Sequence, residues 1–198
     1  IDHQQYSYGI SMNNLALAYS ESGIKFGEIE NYLLDSIKLI SDYRPNEIML
    51  YYPYYNLGNY YASINDIKKS KEFHLKAIEI VELNISQDPG LLISSILALV
   101  QMHLYENNLI EASNLIKRAE NIFSNDNAIE RKGYAGLMIS KAKIHYASGQ
   151  HNKAIEILEP LITLAKTNRE MLIIKTDLLE NYLATHQYDL VASKALEI

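Results

Sequence analysis

Apolar residues recur three and four positions apart along nearly the whole chain, the spacing of amphipathic helices. Leu15, Ala18 and Tyr19 form one such stripe, Leu57, Tyr60 and Tyr61 another, and Leu178 and Tyr182 a third. The stripes belong to a larger period. Gly58, Val100 and Ala142 stand 42 residues apart, and so do Ser70, Ala112 and Ala154. Upstream, Leu15 to Tyr19 precede Leu57 to Tyr61 by 42, whereas Tyr32 to Ser36 precede Phe73 to Ala77 by 41, which places a one-residue insertion near Gly23 to Gly27. A last copy, Leu178 to Tyr182 with His186, Tyr188 and Val191, follows at the shorter spacing of 37.

Each unit reads as a helical hairpin. Small residues at Ala16, Gly58 and Ala142 allow a neighbouring helix to approach, and a turn containing Gly23, Asn65, Asn107, Gly149 or His186 breaks the first helix. The second helix carries its own apolar set: Ile67, Phe73 and Ile78; Leu109, Ile116 and Ile122; Ile155, Leu158 and Ile162. A single hairpin cannot bury both faces, so the hairpins must stack. The expected array runs through residues 8–45, 46–87, 88–127, 128–168 and 169–198, as one domain. Asp88-Pro89 reads as an N-cap and first helical residue. Pro160 should kink or shorten its helix. Around Pro53 either a helix restarts or Asn46 to Ser63 is one kinked helix, the second being favoured.

The pattern Tyr54-x-x-Leu57-Gly58-x-x-Tyr61, followed by Ile67, Ser70, Phe73 and Ala77, resembles the tetratricopeptide repeat family, and its recurrence extends the resemblance over residues 8 to 198. The family unit is near 34 residues. The longer period here is similar to the long-repeat branch typified by kinesin light chain, while the family's tryptophan and terminal proline are missing. The resemblance implies an all-α, right-handed superhelical solenoid of about five helix-turn-helix hairpins. It also implies a concave groove lined by first helices. Carried over copy by copy, that groove would present Asn13, Leu17, Tyr52, Tyr55, Asn59, Leu97, Gln101, Tyr105, Ile139, Lys143, Tyr146, Thr176 and Glu180. The partner-binding set expected among these is Tyr52, Tyr55, Asn59, Gln101, Tyr105, Lys143 and Tyr146. Amides can hold a peptide backbone while tyrosines supply rigid contact area and hydroxyls. The same tyrosines could instead seal neighbouring helices, and helix orientation decides between the two. Capture of a C-terminal carboxylate, as in chaperone adaptors of this family, is disfavoured: Asn59 and Lys143 fit, but Asn13, Tyr55, Leu97 and Gln101 stand where cations are expected.

Charge and composition narrow the chemistry. A net charge of −6 argues against nucleic-acid binding by this chain. The absence of cysteine excludes disulfides and thiolate sites. The longest apolar run, Gly90 to Val100, is too short to span a membrane. No phosphate-binding glycine loop, nucleophile elbow or His-Glu-x-x-His pattern occurs. His103 and His145 occupy the slot of Tyr19, Tyr61 and Tyr182 and read as packing residues, with a metal pair as the sharper reading that lacks a third ligand. His74, His151 and His186 are expected to be solvated, and His3 is terminal. Glu28, Glu30, Glu79, Glu82, Glu111, Glu120 and Glu156 read as a wet outer face with pairs such as Glu72–Lys76. Asn84-Ile85-Ser86 matches a glycosylation sequon.

The expected function is therefore a non-catalytic scaffold that binds a protein or peptide segment, with no cofactor and no metal. The alternative is the sensory or regulatory region of a bacterial signalling protein (histidine kinase, diguanylate cyclase or transcription regulator) that passes ligand or partner binding to an output domain. A chain beginning at Ile1 and stopping in mid-motif is expected to be a piece of a longer protein. Cytoplasm is the favoured compartment, periplasm the alternative for a sensor. Exposed end faces suggest a homodimer.

Overall fold

The computed structural model describes residues 3–84, 89–123 and 133–195. Among these residues the chain is helical throughout, without strands: α1 (His3–Ser22), α2 (Ile29–Tyr43), α3 (Tyr51–Ser63), α4 (Ile67–Leu83), α5 (Pro89–Tyr105), α6 (Leu109–Phe123), α7 (Tyr134–Ala147), α8 (His151–Leu161), α9 (Asn168–Ala184) and α10 (Tyr188–Ala195). Short 3-10 turns at Phe26–Glu28 and Ile48–Leu50 lead into α2 and α3. The chain divides into two compact units, residues 1–102 and 103–198; within them α1 packs on α2, α3 on α4, α7 on α8 and α9 on α10 as helix–turn–helix pairs. The sequon at Asn84 and the Asp88 cap involve residues 85–88, outside the described residues.

One turn geometry is reused. Gly23, Asn65, Asn107, Gly149 and His186 all adopt positive φ, between 56° and 71°. Glycine and asparagine tolerate this left-handed conformation better than other residues. In four of the turns the residue after the left-handed one donates its N–H to a carbonyl five positions back: Asp66 to Tyr61, Asn108 to His103, Gln150 to His145 and Gln187 to Tyr182, at 2.8–2.9 Å. The left-handed residue itself donates three positions back, Asn65 to Ala62, Asn107 to Leu104, Gly149 to Tyr146 and His186 to Leu183. These are paired Schellman bonds, which satisfy the last carbonyls of the first helix. The next helix then begins at once. Asp66 Oδ1 accepts from Lys69 N–H at 3.1 Å, and Asn108 Oδ1 from Glu111 N–H at 3.2 Å. The insertion in the first copy appears as a second left-handed residue, Lys25, followed by the 3-10 turn.

The positions that repeat in sequence are those with no room. Ser70, Ala112 and Ala154 are fully buried, as are Ala77 and Ala119 seven residues further along the same helices. Apolar clusters gather Ala16, Ile29, Leu33, Leu57 and Tyr61 in the first unit, and Ala142, Ala154, Ile155, Leu158, Ile174, Leu178 and Tyr182 in the second. Each fully buried leucine or isoleucine contributes about 1.5–3 kcal/mol.

Three expectations need correction. His74 is not solvated but 1% exposed, with its imidazole lying over Gly58. A Cβ at position 58 would stand 2.6 Å from the His74 ring, so glycine is what admits the imidazole. His151 is half-buried, its Nδ1 within 3.2 Å of Asn181 Oδ1. No single kinked helix runs from Asn46: Glu47 is extended and α3 starts at Tyr51, so Pro53 lies in the first turn, where a missing N–H costs little. Pro160 does stop α8, which ends one residue later at 11 residues against 17 in α4 and 15 in α6.

Two measurements follow from this packing. Asn107→Val should destabilise the chain by about 1–2 kcal/mol in urea unfolding, because a β-branched residue resists the left-handed region, whereas Asn107→Gly should be close to neutral. Burial lowers the His74 pKa to about 4, below its unfolded value. The imidazole is held neutral, so stability is complete above about pH 6.5 and falls as the pH drops toward 4. His74→Leu should remove about 3 kcal/mol of that acid-side slope in unfolding experiments at stepped pH.

Candidate functional site

α3 buries Tyr51, Pro53, Leu57, Gly58 and Tyr61. This sends Tyr52, Tyr55 and Asn59, at i, i+3 and i+7, to the other side of the helix. Tyr52 and Asn59 are exposed and Tyr55 is half-buried. Both outer rings lean on buried Tyr51, Tyr52 edge to face at 5.3 Å and Tyr55 stacked at 5.4 Å. Tyr55 also meets His74 edge-on at 5.3 Å. It is therefore half in solvent and half packed against the buried imidazole. Asn56, beside them, donates from Nδ2 to Asn13 Oδ1 at 2.9 Å. Asn13 is itself buried and braces α1 against α3, in place of the open groove position expected for it. Leu17 is exposed. On α5, Leu97 and Gln101 are half-buried, and Tyr105, the last helical residue, is 66% exposed.

In the second unit, Lys143 and Tyr146 are partly exposed on α7. The Lys143 ammonium lies 3.8 Å from Asp177 Oδ2, an ion pair beyond hydrogen-bonding distance. Burial raises the Asp177 pKa, Lys143 opposes that rise, and Glu180 adds to it. Asp177 Oδ2 is buried without a hydrogen-bond partner. The Tyr146 and His151 rings meet nearly at right angles with centroids 5.2 Å apart. Ile139, expected in the groove, is buried in the core of this unit, while Thr176 and Glu180 on α9 are exposed. The seven expected partner-binding residues thus fall into two sets. Tyr52, Tyr55, Asn59 and Gln101 belong to the first unit, and Tyr105, Lys143 and Tyr146 to the second.

Two tyrosine–carboxylate bonds lie outside the residues expected to matter from the sequence. Tyr61 donates its hydroxyl to Glu30, and Tyr182 donates to Glu159 Oε1 at 2.7 Å. Burial is the main cause of the raised pKa of both tyrosines, with the carboxylates adding to it. Glu30 is accordingly half-buried between helices, not on the wet outer face; a carboxylate in the first turn of a helix was the signal available. The pair Glu72–Lys76 does form, at 2.7 Å. His145 Nδ1 shares a hydrogen bond with Gln150 Oε1 at 3.0 Å, and His103 Nδ1 lies 3.8 Å from Glu106. Among the described residues no group of three His, Asp or Glu side chains could hold a metal. None of the described helices is long and apolar enough to cross a membrane.

Comparison with known proteins agrees with this geometry. The sequence model of the tetratricopeptide repeat family matches residues 51–80, which span α3 and most of α4. No curated protein matches the chain. Among solved structures, the chain is similar to a Podosopora anserina protein described as a kinesin light chain with nearly identical TPR-like repeats. The identity is 18% and the TM-score 0.73, covering 98% of this chain and 94% of that one. A point variant of that protein aligns with 20% identity and a TM-score of 0.75, over 100% and 94%. BtubC (BKLC) from P. vanneervenii is similar at 12% identity and a TM-score of 0.64, over 96% and 87%. These likenesses establish the fold: an all-α array of tetratricopeptide-like helical hairpins.

The buried carboxylate makes a clear test. A raised Asp177 pKa means that the folded chain favours the protonated form, so the ionised group opposes folding as the pH rises through that pKa. Asp177→Asn should raise the thermal midpoint at pH 7, and the gain should shrink toward zero below the ordinary aspartate pKa of 3.8.

Proposed function

We propose that the chain is a non-catalytic recognition module that holds a protein or peptide segment on its first-helix faces. The observation that carries this reading is the α3 face: Tyr52, Tyr55 and Asn59 stand side by side on one helix, with the two rings held in place by Tyr51. Rings already fixed by packing lose little conformational freedom when a ligand arrives. An exposed amide beside them can donate to and accept from an extended backbone. The extension to α5 and α7 through Gln101, Tyr105, Lys143 and Tyr146 belongs to the same proposal. The 42-residue spacing of the turns at Asn65, Asn107 and Gly149 supports assignment to the long-repeat kind of tetratricopeptide array.

A random peptide library displayed on phage and panned against the whole chain tests the reading. Selected peptides should lose at least tenfold in affinity on Tyr52→Ser with Asn59→Ala. Lys68→Glu with Glu79→Lys, on the exposed side of α4, should leave affinity unchanged. Tyr55→Phe preserves the contact with His74 and separates hydroxyl recognition from packing. If the Tyr52 and Asn59 variant keeps full affinity, the α3 face is not the binding surface.

A further inference from the structure

Charge is shared unevenly between the two kinds of helix in the first unit. Of the Asp, Glu, Lys and Arg residues, α1 carries only Glu21, in its last turn, and α3 carries none. α5 carries none either. The second helices α2 and α4, of comparable length, carry eleven. The repeat does not require this division. Forty-two residues after Gln101, and twice that after Asn59, the same slot of α7 holds Lys143, which is partly exposed. A charge is therefore admissible in the Asn59 slot, and its absence there is particular to the first unit.

The neutral helices α1 and α3 meet through amides. Asn56 donates from Nδ2 to Asn13 Oδ1 at 2.9 Å, and Asn13 donates from Nδ2 to Asn14 Oδ1 at 3.3 Å. Asn59 is exposed one turn beyond Asn56, and Tyr52 and Tyr55 stand on the same side of α3. A side-chain amide offers two N–H donors and a carbonyl oxygen, so such a row can hold the N–H and C=O groups of an extended backbone, but it gives an ionised side chain no counter-charge. An ammonium or carboxylate laid against these rings loses water without finding a partner, whereas an apolar side chain buries surface on Tyr52 and Tyr55.

We infer that the segment taken by the α1–α3 face is uncharged over the stretch that lies on it. Its backbone is held by Asn56 and Asn59, its side chains there are apolar, and Asp, Glu, Lys and Arg are excluded. This inference rests on the recognition reading above and adds the chemical class of the ligand. It runs against the charge of the whole chain: a net charge of −6 draws basic peptides at long range, yet the α1–α3 face gives them nothing at contact.

The probes are peptides selected from the random phage library on the whole chain, taking those that the Tyr52→Ser with Asn59→Ala variant fails to bind. Their shared core should be depleted in Asp, Glu, Lys and Arg relative to the unselected library. Raising NaCl from about 0.05 M to about 0.5 M should change their affinity by less than about twofold. A single Glu walked through that core should cost about tenfold, and at the position beside Asn59 the Asn59→Lys chain should recover most of that loss. Charged residues in the selected core, affinity that falls steeply with salt, a core that accepts Glu without loss, or no recovery with Asn59→Lys overturns the neutral class and leaves the recognition reading standing. Selected peptides that all ignore the Tyr52 and Asn59 substitutions, or a library that yields no binder, overturn the recognition reading on this face and the inference with it.

Discussion

Each helix pair depends on how the chain leaves its first helix. A helix end exposes carbonyls that need donors, and the partner helix must start within a few residues for the two rods to pack. One left-handed residue meets both demands. It turns the chain, it brings two N–H groups back onto the last turn, and it aims the following residue to begin the next helix. Because the same pair of bonds closes four turns, the small residues that follow, Ser70, Ala112 and Ala154, arrive at equivalent buried positions. The repeat in sequence is thus the trace of a repeated hydrogen-bond geometry, and the apolar periodicity is what that geometry places in contact.

Within this frame the interior is more polar than a simple stack of aliphatic stripes. His74 sits under Gly58 with Nδ1 unpartnered, and Ser36 and Ser95 are likewise buried without hydrogen-bond partners. Neutral imidazole and hydroxyl groups can be held this way at the cost of one unmade hydrogen bond each. The tyrosine–carboxylate bonds of Tyr61 with Glu30 and Tyr182 with Glu159 work in the opposite direction. They give helices from neighbouring pairs a specific polar contact, which fixes how the two meet beyond what apolar burial alone specifies.

The abundance of tyrosine follows from this division of work. Tyr51 and Tyr61 are core residues, and Tyr54 and Tyr60 pack against other rings. Tyr52 and Tyr105 are presented to solvent. One residue type serves both because its ring packs like a hydrophobe and its hydroxyl stays content at a wet edge or against a carboxylate.

Periodicity alone determined a good deal of this protein: the helix–turn–helix pairs, the five turn positions, the one-residue insertion near Gly23, the shortened α8 at Pro160 and the small residues at the contacts. All of these are set by short-range chemistry, namely turn conformation, proline geometry and apolar spacing, so they can be read from neighbours along the chain. The environments of His74, Glu30, Asn13 and Ile139 were not legible. Each lies in an exposed-looking or ambiguous place on its own helix, and only the approach of a second helix decides whether the side chain meets water, a ring, an amide or another aliphatic group. The outward face of α3 with Tyr52 and Tyr55 is of the same kind, because which side of a helix is surface depends on whether another helix has been laid against it.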